Sequence, residues 1–301
     1  MMALRQIRLI ALKEFGDRFR SGWVIACIVV WLGAVTLTSF FGLLQIGQIG
    51  MQGYERTVIT LLNLVQYLVP LLALLLGHDL IVSEAEERTL KLLIASGVSR
   101  RRLLAGKFIG GCLTLAVPLL SGFLIAGAAI GFGARDRTIL PFLGLTASGL
   151  GLGILFVALG QAISVFCRTR VRALVAALLA WCLLVFVFDL VALGLFISTK
   201  SPAAAREIEL VCDATHVNAA ADIHSAYDNV TNSEPKAHPR ESASSTPLLW
   251  LCLNPIDLFR CINLPQQLGI TVPFFVALGS SVLWLWLTLG AGFWKFCRTD
   301  L

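Results

Sequence analysis

The stretch best equipped to engage another molecule is residues 77–107, between two long apolar runs. Its carboxylates Glu84, Glu86 and Glu87 stand beside Arg88 and Thr89 and just ahead of Leu90, Leu93 and Ile94. These residue types suit recognition rather than bond breaking: acidic groups can pair with cations, and apolar side chains can fill a slot. The spacing predicts a short helix over 83–97. Ser83, followed three residues later by Glu86, fits a capping box. The three glutamates fall in the first turn, where the helix macrodipole favours negative charge. Leu90, Leu93 and Ile94 then share one face. Gly97 can end the helix, and Ser99 can cap the next one. Such a helix suits the grip of a soluble partner. A solvated turn that only balances nearby arginines is the plain alternative, and spacing alone weighs the two equally.

Catalytic constellations are missing. Gly106-Lys107-Phe108 lacks the rest of a G-x-x-x-x-G-K-[ST] run, so the sequence has no P-loop of its own for ATP. It contains no H-E-x-x-H and no C-x-x-C. His216, His224 and His238 are irregularly spaced in a polar segment, His78 stands apart, and no metal site is expected. Ionisable residues inside the apolar runs are nearly absent, apart from Asp189 in the outer half of the fifth. Such a residue is a functional candidate by default; an aspartate near the outer interface, served by water, is the equal alternative. So few intramembrane charges argue against a proton- or sodium-coupled secondary carrier. The lack of paired carboxylates, a Ser/His pair or a histidine cluster at membrane depth argues against a membrane-embedded enzyme. Cys27, Cys112 and Cys182 lie in apolar runs and read as small apolar residues. Cys212, Cys252 and Cys261 fall on the outer side, where the compartment can be oxidising. Loop closure there costs little, so Cys212 is expected to pair with Cys252 or Cys261.

The elements that carry these residues are membrane helices. Hydrophobic residues make up 57% of the chain and charged residues 14%, with mean hydropathy +0.83. A soluble domain sits nearer half apolar and a quarter charged. The apolar runs predict six spans, at about 23–43, 58–82, 103–132, 139–165, 172–197 and 268–294, each near the length that crosses a bilayer as a helix. Most of the 24 lysines and arginines fall on the side that holds both termini, and 166–172 alone contributes Arg168, Arg170 and Arg172. The positive-inside rule therefore gives N-in and C-in, with Trp23 and Trp294 at the boundaries. The net charge of +6 is explained by this placement and calls for no nucleic acid. The fold class is an all-α membrane protein, one transmembrane domain over 1–301.

Residues 1–22 read as an interfacial helix beneath the membrane. Leu4, Ile7, Ala11, Leu12, Phe15 and Phe19 cluster on one side, and Arg8 and Arg18 can snorkel out of the stripe. A simple basic anchor is the alternative. Acidic residues interrupt the first twenty positions, which speaks against a cleaved signal peptide. Gly127-x-x-x-Gly131 and Gly149-x-Gly-x-Gly153 read as helix-packing positions. Residues 198–248 form an extracytoplasmic insert, either a loop, mobile over 228–247, or a small cap. Residues 249–266 are apolar but broken by Pro255 and Pro265, and carry Asp257 and Arg260. They read as a helical segment at, or dipping into, the outer face, with Asn254 as cap and Pro255 at the first helical position.

The run Glu84-x-Glu86-Glu87-Arg88-Thr89-Leu90-x-x-Leu93, then Val98-Ser99-Arg100, then Gly106-Lys107-Phe108, between the second and third of six spans, resembles one family. It is that of the permease subunits of ABC-2 type ATP-binding-cassette transporters, especially the NosY-like subfamily of nitrous-oxide-reductase maturation. Asn254-Pro255-x-Asp257-x-Phe259-Arg260 is also similar to that family. Arg88 departs from it, since such permeases often have glycine or a variable residue there, and the outer insert is long. The resemblance implies that 83–97 is a coupling helix, with Glu84, Glu86, Glu87, Arg88, Thr89, Leu90, Leu93 and Ile94 facing a separate ATPase subunit. It implies two ATPase copies, which hold the ATP and magnesium that this chain does not, and a homodimer of the permease in the inner membrane. It implies substrate export, or alternatively mechanical transmission to an extracytoplasmic partner in copper-enzyme maturation.

Overall fold

A computed structural model describes residues 2–44, 52–87, 89, 98–133, 139–187, 190, 254–263 and 274–298. Every regular element among them is helical. In chain order these are α1 (Met2–Phe19), α2 (Gly22–Leu44), α3 (Gln52–Gly77), α4 (Val82–Glu86), α5 (Arg100–Gly133), α6 (Ile139–Phe166), α7 (Arg170–Cys182), α8 (Pro255–Asn263) and α9 (Phe274–Arg298). A π-helical turn, Leu183–Val187, continues α7. The chain divides into two compact units, Met1–Val185 with Leu251–Leu301, and Phe186–Trp250. In the second unit only Phe186, Val187 and Leu190 are described.

The composition of these helices dictates their surroundings. α2 and α6 contain no charged residue. Leu124, Val171 and Trp286 are each at least 70% exposed. A helix that is apolar all round needs an apolar solvent, which here is the bilayer. Among the described residues four helices are long and apolar enough to cross a membrane: Val58–Glu86, Arg100–Ala128, Phe142–Phe166 and Arg170–Val187. They overlap the spans expected at 58–82, 103–132, 139–165 and 172–197, of which 188, 189 and 191–197 lie outside the described residues. Leu4–Phe19 and Val24–Ser39, bent by 73°, make a fifth candidate if the pair is counted as one span. The run expected at 268–294 overlaps α9, and 268–273 lie outside the described residues.

Close packing follows where side chains vanish. Trp31 of α2 is fully buried and meets Phe123 of α5 edge-on, with ring centroids 6.0 Å apart. Gly122 leaves the room, since a β-carbon there would collide with the Trp31 indole. Gly149 and Gly153 of α6 face Phe123 and Leu115 of α5, whereas Gly151 faces open space. The buried side of α1 differs from the expected stripe. Ile7, Ile10, Ala11 and Glu14 sit against Gly106 and Gly110 of α5, where β-carbons would come within 2.7 Å of the Ile10 and Glu14 side chains. Leu4, Leu9 and Leu12 remain exposed. Apolar spacing cannot tell whether the isoleucine-bearing or the leucine-bearing side of α1 finds the glycine seat.

Candidate functional site

Five helix ends meet at one end of this unit: the C-terminus of α3, the N-termini of α5 and α7, and the C-termini of α6 and α9. The chain leaves α3 at Gly77, where α3 and α6 touch through backbone. A β-carbon on Gly77 would lie 2.9 Å from the Gly160 Cα, and one on Gly160 would lie 2.8 Å from the Gly77 Cα. A tight turn follows, with Leu80 N–H donating to the Gly77 carbonyl at 3.2 Å. Then comes α4.

The capping differs from the expected box. Ile81, not Ser83, stands at the N-cap, and its own side chain gives no hydrogen bond. Ser83 Oγ donates instead to the Asp79 carbonyl at 2.7 Å. The buried N–H groups of Ile81 and Val82 both donate to Ser164 Oγ of α6, each at 2.9 Å. A hydroxyl from another helix thus satisfies the start of α4. It can do so because the Gly77–Gly160 contact brings α6 within reach.

Glu84 points inward. Its Oε1 lies 2.9 Å from Nζ of Lys107 on α5. The same ammonium lies 2.9 Å from Oε2 of Glu14 on α1. Glu14 Oε1 in turn accepts from Arg18 Nε at 2.6 Å, and Arg18 also donates to the Leu76 carbonyl at 2.8 Å. Two carboxylates and two cations so form a neutral cluster that ties α1, the end of α3, α4 and α5 together. Only 3% of the Lys107 side chain is exposed. Desolvation alone would raise the Glu14 carboxyl, but Lys107 and Arg18 together hold it below the usual carboxylate range. Glu84 Oε2 is buried with no hydrogen-bond partner among the described residues.

Glu86 and Glu87 turn the other way, towards the α6–α7 loop. Arg170 Nε lies 3.6 Å from Glu86 Oε2 and 3.6 Å from Asp79 Oδ1, and its guanidinium also pairs with Glu87. The Arg170 backbone N–H donates to Glu86 Oε2 at 3.3 Å. These side chains are largely exposed, so the pairs are weak and exchangeable. Thr169 caps α7, its hydroxyl accepting from Arg172 N–H at 3.4 Å. In the same loop burial pushes the Cys167 thiol up, and nearby Arg172 opposes that rise. Thr89 Oγ1 donates to the Glu84 carbonyl at 3.3 Å. Arg100 at the start of α5 donates to the Phe296 and Cys297 carbonyls, at 3.1 and 3.3 Å, at the end of α9. A cation at a helix C-terminus is favourable there. Arg88, Leu90, Leu93 and Ile94 lie outside the described residues.

A second polar group lies on α8, which is buried rather than lying on the surface of the unit. Asn254, Asp257, Ile256, Leu258 and Phe259 are each at most 4% exposed. Asn254 acts as the cap, with Oδ1 accepting from Ile256 N–H at 3.1 Å. Its Nδ2 donates to Asp257 Oδ2 and to the Leu184 carbonyl, both at 3.0 Å. Pro255 occupies the first helical position. Arg260 pairs with Asp257 at 3.3 Å and donates to Oε1 of Gln66 on α3 at 2.6 Å. Asn263 Nδ2 donates to Ser148 Oγ of α6 at 3.0 Å. Asp189, Cys212, Cys252 and the insert 198–248 lie outside the described residues. Cys261 is described only as part of the α8 backbone. No group of three or more His, Cys, Asp or Glu able to hold a metal occurs among the described residues.

Several residues of the site escaped sequence reasoning. Ser164, Gly160 and Gly77 carry no motif of their own. Gly149, Gly153, Val157, Gly160 and Ser164 nevertheless recur at intervals of three or four on one face of α6, a small-residue seam that could have been read. Lys107, a lone cation inside an apolar run, was a second legible signal.

A family model described as an ABC-2 family transporter protein matches residues 8–301. The chain is 33% identical over 301 residues to "Probable ABC transporter permease protein NosY" of Pseudomonas aeruginosa, covering 94% of this chain and 92% of that protein. It is 30% identical over 312 residues to the protein of the same name from Stutzerimonas stutzeri, covering 96% and 95%. The chain therefore belongs to the ABC-2 transporter family, as a multi-pass permease subunit of an ABC transporter in the inner membrane.

Proposed function

We propose that this permease couples ATP hydrolysis on a separate ATPase subunit to movement of its membrane helices, and that residues 83–97 are the docking element. The cluster of Glu84, Lys107, Glu14 and Arg18 carries this reading. It joins the base of the acidic stretch to α1, α3 and α5 through nearly buried charges. A push on the stretch would therefore be passed to three helices as a rigid unit rather than absorbed by a loose loop. Glu86 and Glu87 are exposed beside Arg170 and form the acidic rim that a basic groove would meet. Leu90, Leu93 and Ile94 would fill that groove's apolar floor. The sequence has no P-loop run, so in this reading ATP and magnesium are held by the ATPase, two copies of which would serve a homodimer of six-span permeases with both termini inside. Export is the direction that the family resemblance implies.

Mechanical transmission to an extracytoplasmic partner is the second reading, and α3 favours it. The same helix holds Arg260 of α8 through Gln66 and receives Arg18 at Leu76. Those positions are ten residues apart, about 15 Å along a helix. Movement at the charged end would reach the polar group on α8 without any solute passing.

The test is Leu93→Asp in the permease co-expressed with its ATPase. A charge in an apolar slot is costly to bury unpaired. The expected result is a folded permease that no longer co-purifies with the ATPase, or that co-purifies with uncoupled hydrolysis. Normal co-purification with normal stimulation would reject the docking assignment.

A further inference from the structure

One turn of α6 touches the chain on both sides of the docking stretch. On the way in, Gly160 receives Gly77 at the end of α3, and Ser164 accepts from the N–H groups of Ile81 and Val82. On the way out, Gln161 reaches across to α5, its Nε2 donating to the Leu104 carbonyl at 3.0 Å. Gln161 and Ser164 are each 1% exposed, and their spacing of three puts them side by side on one face of α6. Leu80, fully buried, fills the space where α5 comes up to α6. Its methyl carbons lie 3.2 and 3.3 Å from the place of a β-carbon on Gly111, and Val157 of α6 lies 3.4 Å from the same point. Behind this turn α9 packs on α6, where a β-carbon on Gly292 would lie 3.5 Å from the Ala162 Cα.

Packing alone does not call for an amide at position 161. Gln161 Oε1 is buried with no hydrogen-bond partner among the described residues, and a buried polar atom left unpaired costs stability. The Leu104 carbonyl lies within α5, so it accepts from the helix ladder and would not be orphaned if the amide were lost. An apolar side chain of the same size would fill the place as well or better. What the amide adds is a directed link from the start of α5 to α6.

We infer that Gln161 is a positioning residue for transmission from the ATPase: with Ser164 it fixes the chain before and after 83–97 to a single helix, so that a displacement imposed on the stretch is delivered to α6 and, through the Ala162 contact, to α9. This rests on the reading that 83–97 docks the ATPase. The reason is mechanical. A stretch held to α6 on one side alone could swing about that point, with α6 left in place. Held on both sides, it can turn or shift only by taking α6 with it, as a rigid body. The charged cluster of Lys107 stiffens the base of the stretch, and the two α6 side chains give that base its seat.

The test titrates the ATPase with full-length permease in nanodiscs and reads ATP hydrolysis. The permease concentration at half-maximal effect reports docking, and the maximal change in rate reports transmission. Gln161→Met keeps the length of the side chain and removes both polar atoms. Its half-maximal concentration should match that of wild type, its maximal change should fall severalfold, and its thermal midpoint should equal or exceed that of wild type. A side chain that only fills space would lower the midpoint and leave the maximal change alone. If Gln161→Met does not fold, Gln161→Leu is read by the same split. An equal maximal change for the variant and wild type overturns the inference. So does a shift confined to the half-maximal concentration, which would make Gln161 part of docking, and so does a wild type that binds the ATPase without altering hydrolysis. Leu93→Asp, run beside them, separates the two claims. If that variant docks normally, the docking reading falls and takes the inference with it. If it fails to dock while Gln161→Met matches wild type, only the link through α6 falls.

Discussion

Lys107 reaches Glu84 across the joint between two helices, Nζ to Oε1 at 2.9 Å, and the same ammonium holds Glu14 at 2.9 Å on its other side. One nearly buried cation thus fixes two carboxylates from separate segments. Removing it leaves both without their main partner in a site of low solvent access. Lys107→Met should destabilise the permease by roughly 3–5 kcal/mol. The double variant Lys107→Met, Glu84→Gln should recover much of that loss, because the charges that remain, Glu14 and Arg18, still pair with each other. Thermal unfolding in nanodiscs checks both; a double variant no better than the single one would mean that packing, not charge, is what Lys107 supplies.

Ser164 is expected to matter out of proportion to its size. Its hydroxyl accepts from two backbone N–H groups at the start of α4. Ser164→Ala should cost about 1–2 kcal/mol, the scale of a lost cap or a buried unsatisfied donor. Hydrogen exchange of residues 80–86 should speed up in the variant, while the rest of α6 stays protected. Equal exchange rates in this turn would contradict the cap.

Gly77 and Gly160 set how closely α3 and α6 approach. A methyl on either meets backbone atoms at 2.8–2.9 Å, which no side-chain rotation relieves. Gly160→Ala should destabilise by about 1–3 kcal/mol, as overpacked cores do. Gly151→Ala, at a position facing open space, should be nearly silent. Comparing the two thermal midpoints separates a contact effect from a general intolerance of alanine in this helix.

The Glu14 carboxyl is held below its usual range in the folded state, even though its desolvation pulls upward, because Lys107 and Arg18 outweigh that pull. A depressed folded pKa gives stability that is fully present above the unfolded carboxylate value, near pH 4.3 for glutamate. That stability is lost as pH falls through the folded value. Wild type should therefore lose thermal stability on acidification below about pH 4 more steeply than Glu14→Gln. Parallel pH profiles for the two proteins would contradict this.

Much of the fold was readable because membrane helices announce themselves by long apolar runs, and four of the expected spans match described helices. The Asn254 cap and Pro255 start of α8 were also readable, since both act within their own segment. The site was less legible. Glu84, Glu86 and Glu87 look alike in sequence, yet one turns to Lys107 and two to Arg170, a choice made by α5 and the α6–α7 loop. The capping box failed for a similar reason. A local rule assigns the cap to Ser83, whereas Ser164, far away in sequence, is brought to the same N–H groups by the glycine contact. Burial of α8 was hidden because Asp257 and Arg260 suggest a surface segment until their mutual pairing, and that with Gln66, is seen.

The central claim is that residues 83–97 meet the ATPase, and a photo-crosslinker tests it without disturbing charge. A benzophenone amino acid at Leu93, in the permease co-expressed with its ATPase, should yield a permease–ATPase adduct on illumination. The same probe at Leu124, which lies 77% exposed on the apolar surface of α5, should yield none. An adduct from Leu93 whose yield changes with ATP is the predicted result. No adduct from Leu90, Leu93 or Ile94, with a strong one from a probe elsewhere on the permease, would contradict the account.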